Sequence, residues 1–404
     1  MTCVWPTATI GEVCTVFSGG TPSKGNRDYW HGNIPWVSAK DLKSDRIFDA
    51  EFHISEKACD ESAAKMAPVG ALLVLVRGMG LANGVPIGEI TSPVTFNQDI
   101  RAIVPPETVV PRFLLLALRH SLSDGDGKGV LSSAAHGTLK IDAEALRQVT
   151  FPVPPLREQH RIVAILDEAF EGIATAKANA EKNLLNAREL FTNHLRRVFS
   201  QRGPTWREAP LLSFALSIST GPFGSLLHKS DYVSEGVPLV NPINIVGGSI
   251  VPDPDKLIDI ATKHRLQNYV LRDGDVVIGR RGEIGRCAVI GPDEEGWVCG
   301  TGCFFIRPRQ TVKAAFLAHL IRSGDYRSQL EHASTGTTMK NLSNGALGEL
   351  VVAIPELCEQ NRILTLIDKV SDECRRIEVI YEQKLAGLDE LKKSLLHQAF
   401  NGAL

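Results

Sequence analysis

Apolar residues in two stretches of the chain recur at steps of three and four, the period of one face of an α-helix. One such stripe runs from Ile162 to Val198, and the other runs from Ile363 to Ala399. Each stripe predicts a helix of about 40 residues, which at ~1.5 Å per residue would be ~60 Å long. A small domain cannot cover a helix of that length, so we expect the two stripes to pack against each other.

The residues that we assign to this pairing share the apolar face of one of the two helices. They are Ile162, Leu166, Ile173, Leu184, Phe191, Leu195, Ile363, Ile367, Ile377, Leu385, Leu388 and Leu396. Lys392 interrupts the second stripe. An alternative is that the stripes form a seam between two chains, but an internal duplication makes a second chain unnecessary.

The duplication is visible at the start of each helix. Pro154-Pro-Leu-Arg-Glu-Gln159 precedes the first stripe, and Pro355-Glu-Leu-Cys-Glu-Gln360 precedes the second. Glu158 and Glu359 are 201 residues apart, close to half of the 404-residue chain. The chain is therefore predicted to contain two copies of one plan.

Each copy is predicted to hold one globular domain followed by one helical region. The predicted boundaries are 1–150, 151–200, 201–350 and 351–404. Because the ends of a compact domain lie close together, the second helix should begin near the end of the first, which makes the pair antiparallel and the copies related by an approximate two-fold axis.

The globular parts are predicted to mix strands with helices. Ala71–Val76 and Thr95–Val104 are strand candidates, and Pro111–Ser121 is a helix with proline in its first turn. The predicted fold class is α+β, with two mixed α/β domains joined by two long helices that form an antiparallel intramolecular coiled coil.

Composition and charge limit the possible functions. The net charge is −2, the eight cysteines are scattered, and Cys299 with Cys303 is only a weak zinc signal. No signal-peptide pattern or membrane-spanning run is present, so we expect a soluble cytoplasmic protein with reduced cysteines and no bound metal. The absence of a basic region means that, if DNA is bound, partner proteins should supply much of the affinity for phosphate.

Motifs for catalysis are missing. Gly20-Thr-Pro-Ser-Lys-Gly25 has the glycine spacing of a P-loop but is followed by Asn26-Arg27 instead of Lys-Ser/Thr. Asn241-Pro-Ile-Asn244 lacks the aromatic residue of the motif found in amino-methyltransferases. We therefore do not expect an enzyme that acts alone.

Several motifs together resemble the specificity subunit of type I restriction-modification systems. They are Ser18-Gly-Gly-Thr-Pro-Ser23, Ile34-Pro-Trp-Val-Ser38, Asn97-Gln-Asp99, Gly137-Thr with Lys140, and the helix start at Pro154–Ile162 with its second copy. The resemblance covers nearly the whole chain.

The resemblance implies that two target-recognition domains each read one half of a bipartite, asymmetric site in double-stranded DNA. It also implies two modification (methyltransferase) subunits that bind S-adenosylmethionine, restriction subunits that use ATP and Mg, and a specificity chain that binds no cofactor and catalyses nothing. We expect the modification subunits to dock on the outer helix faces and on the Glu-Gln helix starts.

Reading of bases needs polar and basic side chains on loops that reach base edges. The candidate DNA-binding residues are Thr21, Ser23, Lys24, Lys40, Asn97, Gln98, His136, Lys140, Ser225, His228, Lys229, Asn241, Asn244, Arg280, Arg281 and Lys340. Each has a structural alternative: Asn97–Asp99 could simply hold a strand end, Thr21–Ser23 could be only a turn, and Arg280 and Arg281 could be solvated.

Two other function classes stay open. A modification-only system would use the same subunit without a restriction partner. A coiled-coil scaffold with two protein-binding heads would agree with the balanced charge.

Overall fold

The computed structural model describes residues 5–123, 130–133, 139–223, 226–334 and 341–404. The chain divides into two compact units. Unit 1 comprises Met1–Ala180 with Gln383–Leu404, and unit 2 comprises Glu181–Glu382. The two long helices, Leu156–Ser200 and Leu357–Phe400, are each divided between the units. Among the described residues, no helix combines the length and the apolarity needed to cross a membrane.

Unit 1 contains the first half of the strands. Its helices are α1 (Ile10–Val13), α2 (Glu56–Glu61), α3 (Pro111–Ser123), α4 (Ala143–Arg147) and the first part of α5 (Leu156–Ser200), with 3-10 helices at Arg27–Trp30 and Met79–Asn83. Its strands are β1 (Thr7–Thr9), β2 (Thr15–Ser18), β3 (Ile34–Val37), β4 (Arg46–Ile47), β5 (Phe52–Ile54), β6 (Met66–Ala67), β7 (Leu72–Leu75), β8 (Ile87–Ile90), β9 (Val94–Phe96), β10 (Ile100–Val104), β11 (Leu131–Ser133), β12 (Leu139–Ile141) and β13 (Thr150–Pro152).

Unit 2 contains the remaining elements. Its helices are the rest of α5, α6 (Ile260–Arg265), α7 (Ala314–Arg322), α8 (Gly324–Ala333), α9 (Asn344–Glu349) and the first part of α10 (Leu357–Phe400), whose end belongs to unit 1. Its 3-10 helices are Leu211–Phe214, Lys229–Asp231, Pro242–Asn244 and Gln267–Tyr269. Its strands are β14 (Arg207–Pro210), β15 (Ala215–Thr220), β16 (Tyr232–Val233), β17 (Val237–Val240), β18 (Ile245–Val246), β19 (Ser249–Ile250), β20 (Leu257–Ile258), β21 (Val276–Gly279), β22 (Cys287–Val289), β23 (Val298–Cys299), β24 (Cys303–Pro308) and β25 (Val351–Ile354).

The two units share one sheet plan. A larger sheet has the order β2-β10-β7-β8-β4 in unit 1 and β15-β24-β21-β22 in unit 2. A second sheet has the order β5-β3-β9-β6 in unit 1 and β16-β20-β17-β23 in unit 2. In both units the second sheet contains one parallel pair, β3 with β9 and β17 with β23, so the repeat extends to strand direction.

The stretch Thr95–Val104, predicted to be one strand, forms parts of two strands in different sheets. β9 ends at Phe96, and β10 begins at Ile100. Between them the side-chain oxygen of Asn97 accepts a hydrogen bond from the backbone N–H of Asp99 at 3.0 Å. The carboxamide therefore stabilises a turn, which carries the chain from one sheet to the other.

In unit 1 the segments of α5 and α10 run antiparallel. Arg161 donates a hydrogen bond to the backbone oxygen of Leu404 at 2.8 Å, and Lys177 pairs with Asp389 at 2.5 Å. In unit 2 the Arg188 guanidinium lies 3.5 Å from Glu378 and 3.4 Å from Glu382. Within unit 1 the partners of successive residues of α5 therefore come earlier and earlier in α10, which is the antiparallel direction predicted from the closeness of domain ends.

The apolar stripes pack partly against the globular domains, whereas we had expected them to pack only against each other. In unit 1 Ile162 and Leu166 share a core with strands, with α3 and with Phe400. In unit 2 Leu195, Ile363 and Ile367 share a core with α7 and the larger sheet. Of the predicted pairing residues, those that are buried are Ile162, Leu166, Ile173, Leu195, Ile363 and Ile367, and those that are partly exposed are Leu184, Phe191, Ile377, Leu385, Leu388 and Leu396.

Lys392, the interruption of the second stripe, has a local partner in unit 1. Its ammonium nitrogen lies 5.0 Å from the ring centroid of Phe170, a distance suited to a cation–π contact. The aliphatic stem of a lysine can cover apolar surface while its charge stays near water. A lysine at this position is thus compatible with an otherwise apolar stripe.

Candidate nucleic-acid interface

The glutamine of the repeated helix start is a buried structural residue. Gln159 is fully buried, and its side-chain oxygen accepts a hydrogen bond from the backbone N–H of Val110 at 2.8 Å. Its side-chain nitrogen donates to the carbonyl oxygens of Thr108 at 3.0 Å and Pro154 at 2.8 Å. This one side chain therefore ties the start of α5 to the loop that precedes α3.

Gln360 repeats the arrangement in unit 2. It is fully buried, it accepts from the N–H of Lys313 at 2.8 Å, and it donates to Thr311 at 2.9 Å and Pro355 at 2.7 Å. The expectation that the Glu-Gln helix starts meet a partner protein is therefore wrong for the glutamines, because their polar atoms are already used and are inaccessible.

In the neighbouring charged pair of the motif, the arginine is exposed and the glutamate is partly exposed in both copies. Arg161 binds Glu158 at 2.6 Å, and Arg362 binds Glu359 at 2.7 Å. The hydrogen bond from the guanidinium holds the pKa of each carboxyl below its usual value. The arginine of this pair, together with Leu156 and Leu357 at the helix starts, stays accessible to a partner.

A polar cluster lies at one end of the larger sheet of unit 1, and we call it the sheet-end cluster. Arg101 in β10 donates hydrogen bonds to the hydroxyl of Ser18 and the carbonyl of Gln98, both at 2.9 Å. The Thr21 hydroxyl donates to the side-chain oxygen of Gln98. Burial, and then the positive charge of Arg77, lower the pKa of Arg101.

Glycine makes this loop geometry possible. Gly20 donates its N–H to the carbonyl of Phe96 at 2.9 Å, and a Cβ on Gly20 would lie 2.1 Å from the carbonyl oxygen of Ala63. In unit 2 a Cβ on Gly221 would lie 1.9 Å from the carbonyl oxygen of Gly300. Both loops approach other backbone too closely for any side chain.

Unit 2 has an equivalent sheet end built from different residues. Arg281 forms an antiparallel bridge with Asn341, as Arg77 does with Lys140 in unit 1. The neighbouring Arg280 donates from Nε to the Asn341 side chain at 3.1 Å and lies 5.3 Å from the ring centroid of Phe304. Burial and the charge of Arg281 lower the pKa of Arg280.

The exposed guanidinium groups of these two ends match what DNA requires. Arg77 and Arg281 are exposed, and within the described part of the chain neither has an ion pair with a carboxylate. A guanidinium offers a rigid fork of donors to phosphate oxygens or to the acceptor edge of guanine. Gln98, also exposed, has the donor and acceptor that adenine recognition uses.

Sequence reasoning missed Arg77 and Arg101. A usable signal for Arg77 was present, because Arg77-Gly78 follows β7 as Arg281-Gly282 follows β21, and Arg281 had been selected. No pattern in the sequence identified Arg101, because its neighbours Ser18 and Gln98 come from other parts of the chain.

The other candidates of unit 1 lie in several places. Lys24 and Ser23 are exposed on the loop after β2, whereas exposed Lys40 lies 3.9 Å from Glu51. Lys140 pairs with Asp142 at 2.8 Å. Asn97 is buried and occupied by its turn, a geometry that favours the strand-end alternative.

In unit 2 the candidates also divide into surface and structural positions. His228 and Lys229 are exposed, and the His228 N–H donates to Asp231 at 2.7 Å. Asn244 is buried, and its side chain bonds to the N–H of Asn241 at 2.8 Å and to the carbonyl of Val251 at 2.9 Å, so both asparagines shape a turn. The candidates His136, Ser225 and Lys340 lie outside the described residues.

The described residues contain no group of three or more His, Cys, Asp or Glu side chains placed to hold a metal ion. Cys299 and Cys303, the weak zinc signal, are both buried, and burial raises the pKa of each thiol. A raised pKa disfavours the thiolate that would bind a metal.

The chain has clear similarities to known proteins. A family model described as "Type I restriction modification DNA specificity domain" matches residues 4–186 and 238–384. Over 164 residues (40% of this chain and 39% of the relative) it is 33% identical to the specificity subunit of the Escherichia coli type I restriction enzyme EcoR124I/EcoR124II. Over 195 residues (47% and 43%) it is 30% identical to the MjaIX specificity subunit of Methanocaldococcus jannaschii. These alignments span less than half the length of either relative.

Solved structures show the same fold over the whole chain. A chain from a study of complex assembly and conformational transition of a type I R-M system aligns with a TM-score of 0.79 at 20% identity, covering 100% of this chain and 99% of that one. The HsdS subunit of Thermoanaerobacter tengcongensis aligns with a TM-score of 0.60 at 19% identity, covering 100% and 98%. Both comparisons concern fold alone.

Proposed function

The chain belongs to the type I restriction modification DNA specificity domain family, and we propose that it is the DNA sequence-specificity subunit of a type I restriction-modification complex. One observation carries this proposal beyond family membership: Arg77 and Arg281 occupy equivalent positions at the ends of the two larger sheets. Each unit reads one half of a bipartite, asymmetric site in double-stranded DNA, and the long helices set the gap between the halves.

The chemistry of the complex belongs to partner proteins. Two modification subunits supply S-adenosylmethionine and adenine methylation, and restriction subunits supply cleavage with ATP and Mg. This chain binds none of these cofactors, catalyses nothing, and acts where DNA is, in the cytoplasm.

The modification subunits dock along the helices. Leu185 and Leu190 of α5 and Val379 and Ile380 of α10 are at least half exposed, an apolar surface that a partner can cover. Because the net charge of this chain is −2, those subunits also supply much of the attraction to phosphate.

Sequencing of adenine methylation in host DNA, with and without this gene, tests the proposal. We expect a motif of two short halves around a fixed gap, which disappears when the gene is deleted. If a neighbouring nuclease gene is absent, the same motif would indicate a modification-only system.

A scaffold with two protein-binding heads is the second candidate, and the balanced charge is the observation that favours it. The complex purified with its neighbouring methyltransferase separates the two. Failure of that complex to bind any DNA, together with an unchanged methylome, would establish the scaffold and contradict DNA recognition.

A further inference from the structure

Unit 1 carries an aromatic pocket beside the loop that follows β2. Its lining residues are Lys24, Arg27, Trp30, His31, Trp36 and Phe52, and its volume is about 580 Å³. That volume is within the usual range of ~300–1,000 Å³ for small-ligand sites. None of the residues assigned above to DNA recognition explains three aromatic rings at this place.

The two indole rings are held in place by the backbone of the same loop. Trp30 donates its ring N–H to the carbonyl of Ser23 at 3.2 Å, and Trp36 donates to the carbonyl of Gly20 at 3.0 Å. Trp30 packs edge-on against Trp36 at 5.1 Å and against Phe52 at 6.3 Å between ring centroids. Since both indole N–H groups are used internally, the two tryptophans offer a ligand their ring surface rather than hydrogen-bond donors.

The charge around the rings selects against one class of ligand. Lys24, Arg27 and His31 line the pocket, and none of its described lining residues carries a carboxylate. The nearby Asp28 lies 3.8 Å from Lys57. The positive charges of Lys24 and Arg27 repel a cationic ligand and attract an anionic one. The pocket therefore suits a planar group that carries a negative charge.

We propose that this pocket holds one unpaired nucleotide of the bound DNA, with its base stacked on Phe52 and its edge against the perpendicular ring of Trp30, and with its phosphate beside Lys24 and Arg27. Stacking on aromatic rings accepts any base, because every base has a π face. The pocket thus holds DNA without reading its sequence. This proposal rests on the proposed function, since a duplex-reading subunit is what would bring a displaced nucleotide to this loop.

In the described part of unit 2, the positions that correspond to Trp36 and Phe52 do not hold aromatic residues. Leu239 in β17 corresponds to Trp36 in β3, because each lies in the parallel pair of its sheet, Leu239 opposite Val298 and Trp36 opposite Thr95. Strand pairing likewise sets Lys256, immediately before β20, at the position of Phe52. Among the described residues, this set of aromatic rings is therefore specific to unit 1.

The test uses the full chain and a single-stranded oligonucleotide of about eight bases that carries one 2-aminopurine, whose fluorescence is quenched by stacking. We expect quenching on binding, and we expect Phe52→Ala to weaken binding about tenfold and to abolish most of the quenching. Lys24→Ala combined with Arg27→Ala should weaken binding and leave the remaining affinity less sensitive to salt than that of Phe52→Ala, because fewer phosphate contacts remain. Phe48→Ala is the matched control, because Phe48 is an exposed phenylalanine of unit 1 outside the pocket, 67% accessible.

Equal binding and equal quenching in Phe52→Ala and Phe48→Ala would overturn the proposal. Binding of a proline-rich peptide that is lost in Phe52→Ala, with no quenching of the oligonucleotide by the unaltered chain, would also overturn it and would assign the pocket to a peptide. Neither result affects the methylation motif, which is lost on deletion of the gene if the proposed function is right. Failure of the pocket and failure of the DNA-recognition role are therefore distinguishable.

Discussion

The two units use the same scaffold but carry different side chains on it. Gln159 and Gln360 make the same three buried hydrogen bonds, and the two sheets have the same strand order over most of their width. Trp36 and Phe52 of unit 1, by contrast, correspond to Leu239 and Lys256 of unit 2. The shared scaffold depends on internal contacts such as those of the two buried glutamines, so the surface residues are free to differ.

The ends of the two larger sheets both carry a partly buried arginine, but it comes from a different strand in each unit. In unit 1 Arg101 belongs to β10, and Val76 follows β7. In unit 2 the corresponding positions hold Phe304 in β24 and Arg280 after β21. A guanidinium is thus present at both ends although its place in the chain differs. A contact with DNA needs a guanidinium at the right place on the surface, whichever residue of the chain supplies it.

The helices that pack beneath the larger sheets differ at several positions, one of which carries a titratable side chain in unit 2. α3 begins at Pro111 and α7 at Ala314, so Leu116 and His319 occupy the same position. Leu116 is fully buried, whereas His319 lies 3.1 Å from Arg322. Burial, and then the charge of Arg322, lower the pKa of His319 to about 3. Unit 2 therefore contains an acid-sensitive group that unit 1 lacks at this position.

Replacement of the repeated glutamines should have the largest effect on stability. Gln159→Leu and Gln360→Leu each leave buried backbone groups without a partner, at ~1–3 kcal/mol for each unsatisfied group. We expect each change to lower the free energy of unfolding of its unit by about 3 kcal/mol, and to similar extents. Urea unfolding of the full chain measures both.

Gln148→Leu is the matched control, because Gln148 is exposed and bonds only to Glu144 at 2.8 Å, four residues earlier, through its side chain. A loss of unfolding free energy below about 1 kcal/mol for Gln159→Leu, or a loss in only one of the two substitutions, would contradict the equivalence of the two helix starts.

His319 should make unit 2 less stable in acid. Its folded pKa is about 3 against 6.5 for an unperturbed side chain, so the unfolded chain takes up a proton first as pH falls. The free energy of unfolding should decline from about pH 6.5 towards pH 3, by about 2 kcal/mol at pH 5. His319→Leu, which copies Leu116, should remove this decline.

Urea unfolding at pH 7 and pH 5 measures the difference, with exposed His332→Leu as the control. An identical pH dependence in His319→Leu and the unaltered chain would show that His319 does not titrate as its burial implies.

Arg77 and Arg281 should contribute equally to DNA affinity in the assembled complex. Arg77→Ala and Arg281→Ala should each weaken binding of the methylated motif by up to about tenfold and reduce the slope of log affinity against log salt by about 1 if the contact is to phosphate. Fluorescence anisotropy across a salt series distinguishes phosphate contact from base reading, since base reading would also relax the sequence requirement in one half-site.

Lys369→Ala, on the exposed face of α10, provides the control for loss of one positive charge. Equal weakening by Lys369→Ala would mean that the sheet ends have no special role.

Lys392→Gln should have the smallest effect. The cation–π contact with Phe170 contributes about 0.5–1 kcal/mol at an exposed site. We therefore expect a loss below about 1 kcal/mol in unit 1, against no change for exposed Lys384→Gln. A gain in stability would contradict this prediction and would show that the lysine destabilises the packing of the stripe.

The helices and the internal duplication could be predicted from sequence, because apolar residues at steps of three and four over about 40 residues fit the period of an α-helix and not that of a strand. The strand at Ala71–Val76 and the helix at Pro111 were also predicted and are confirmed as β7 and α3. Thr95–Val104 was predicted wrongly, since both of its halves have strand-forming residues and only the Asn97 side chain marks the turn.

The candidate interface was less predictable. Exposed Arg281 was selected from its glycine-flanked turn, but its counterpart Arg77 was recognised only when strand pairing aligned the two. Asn97 and Asn244 have the residue type that reads adenine, yet both are buried in turns. Residue type specifies what a side chain can bind, whereas accessibility depends on the fold around it.

The sequence by itself determined the duplication, the two long helices and the glycines of the loops, because each follows from periodicity or from backbone geometry within a few residues. Only the tertiary structure decided that the repeated glutamines are internal, that Arg101 and Arg280 serve equivalent places, and that Trp30, Trp36 and Phe52 surround one cavity. The reason is physical: burial and contact between segments far apart in the chain arise from packing. The same local sequence pattern can therefore be buried in one protein and exposed in another.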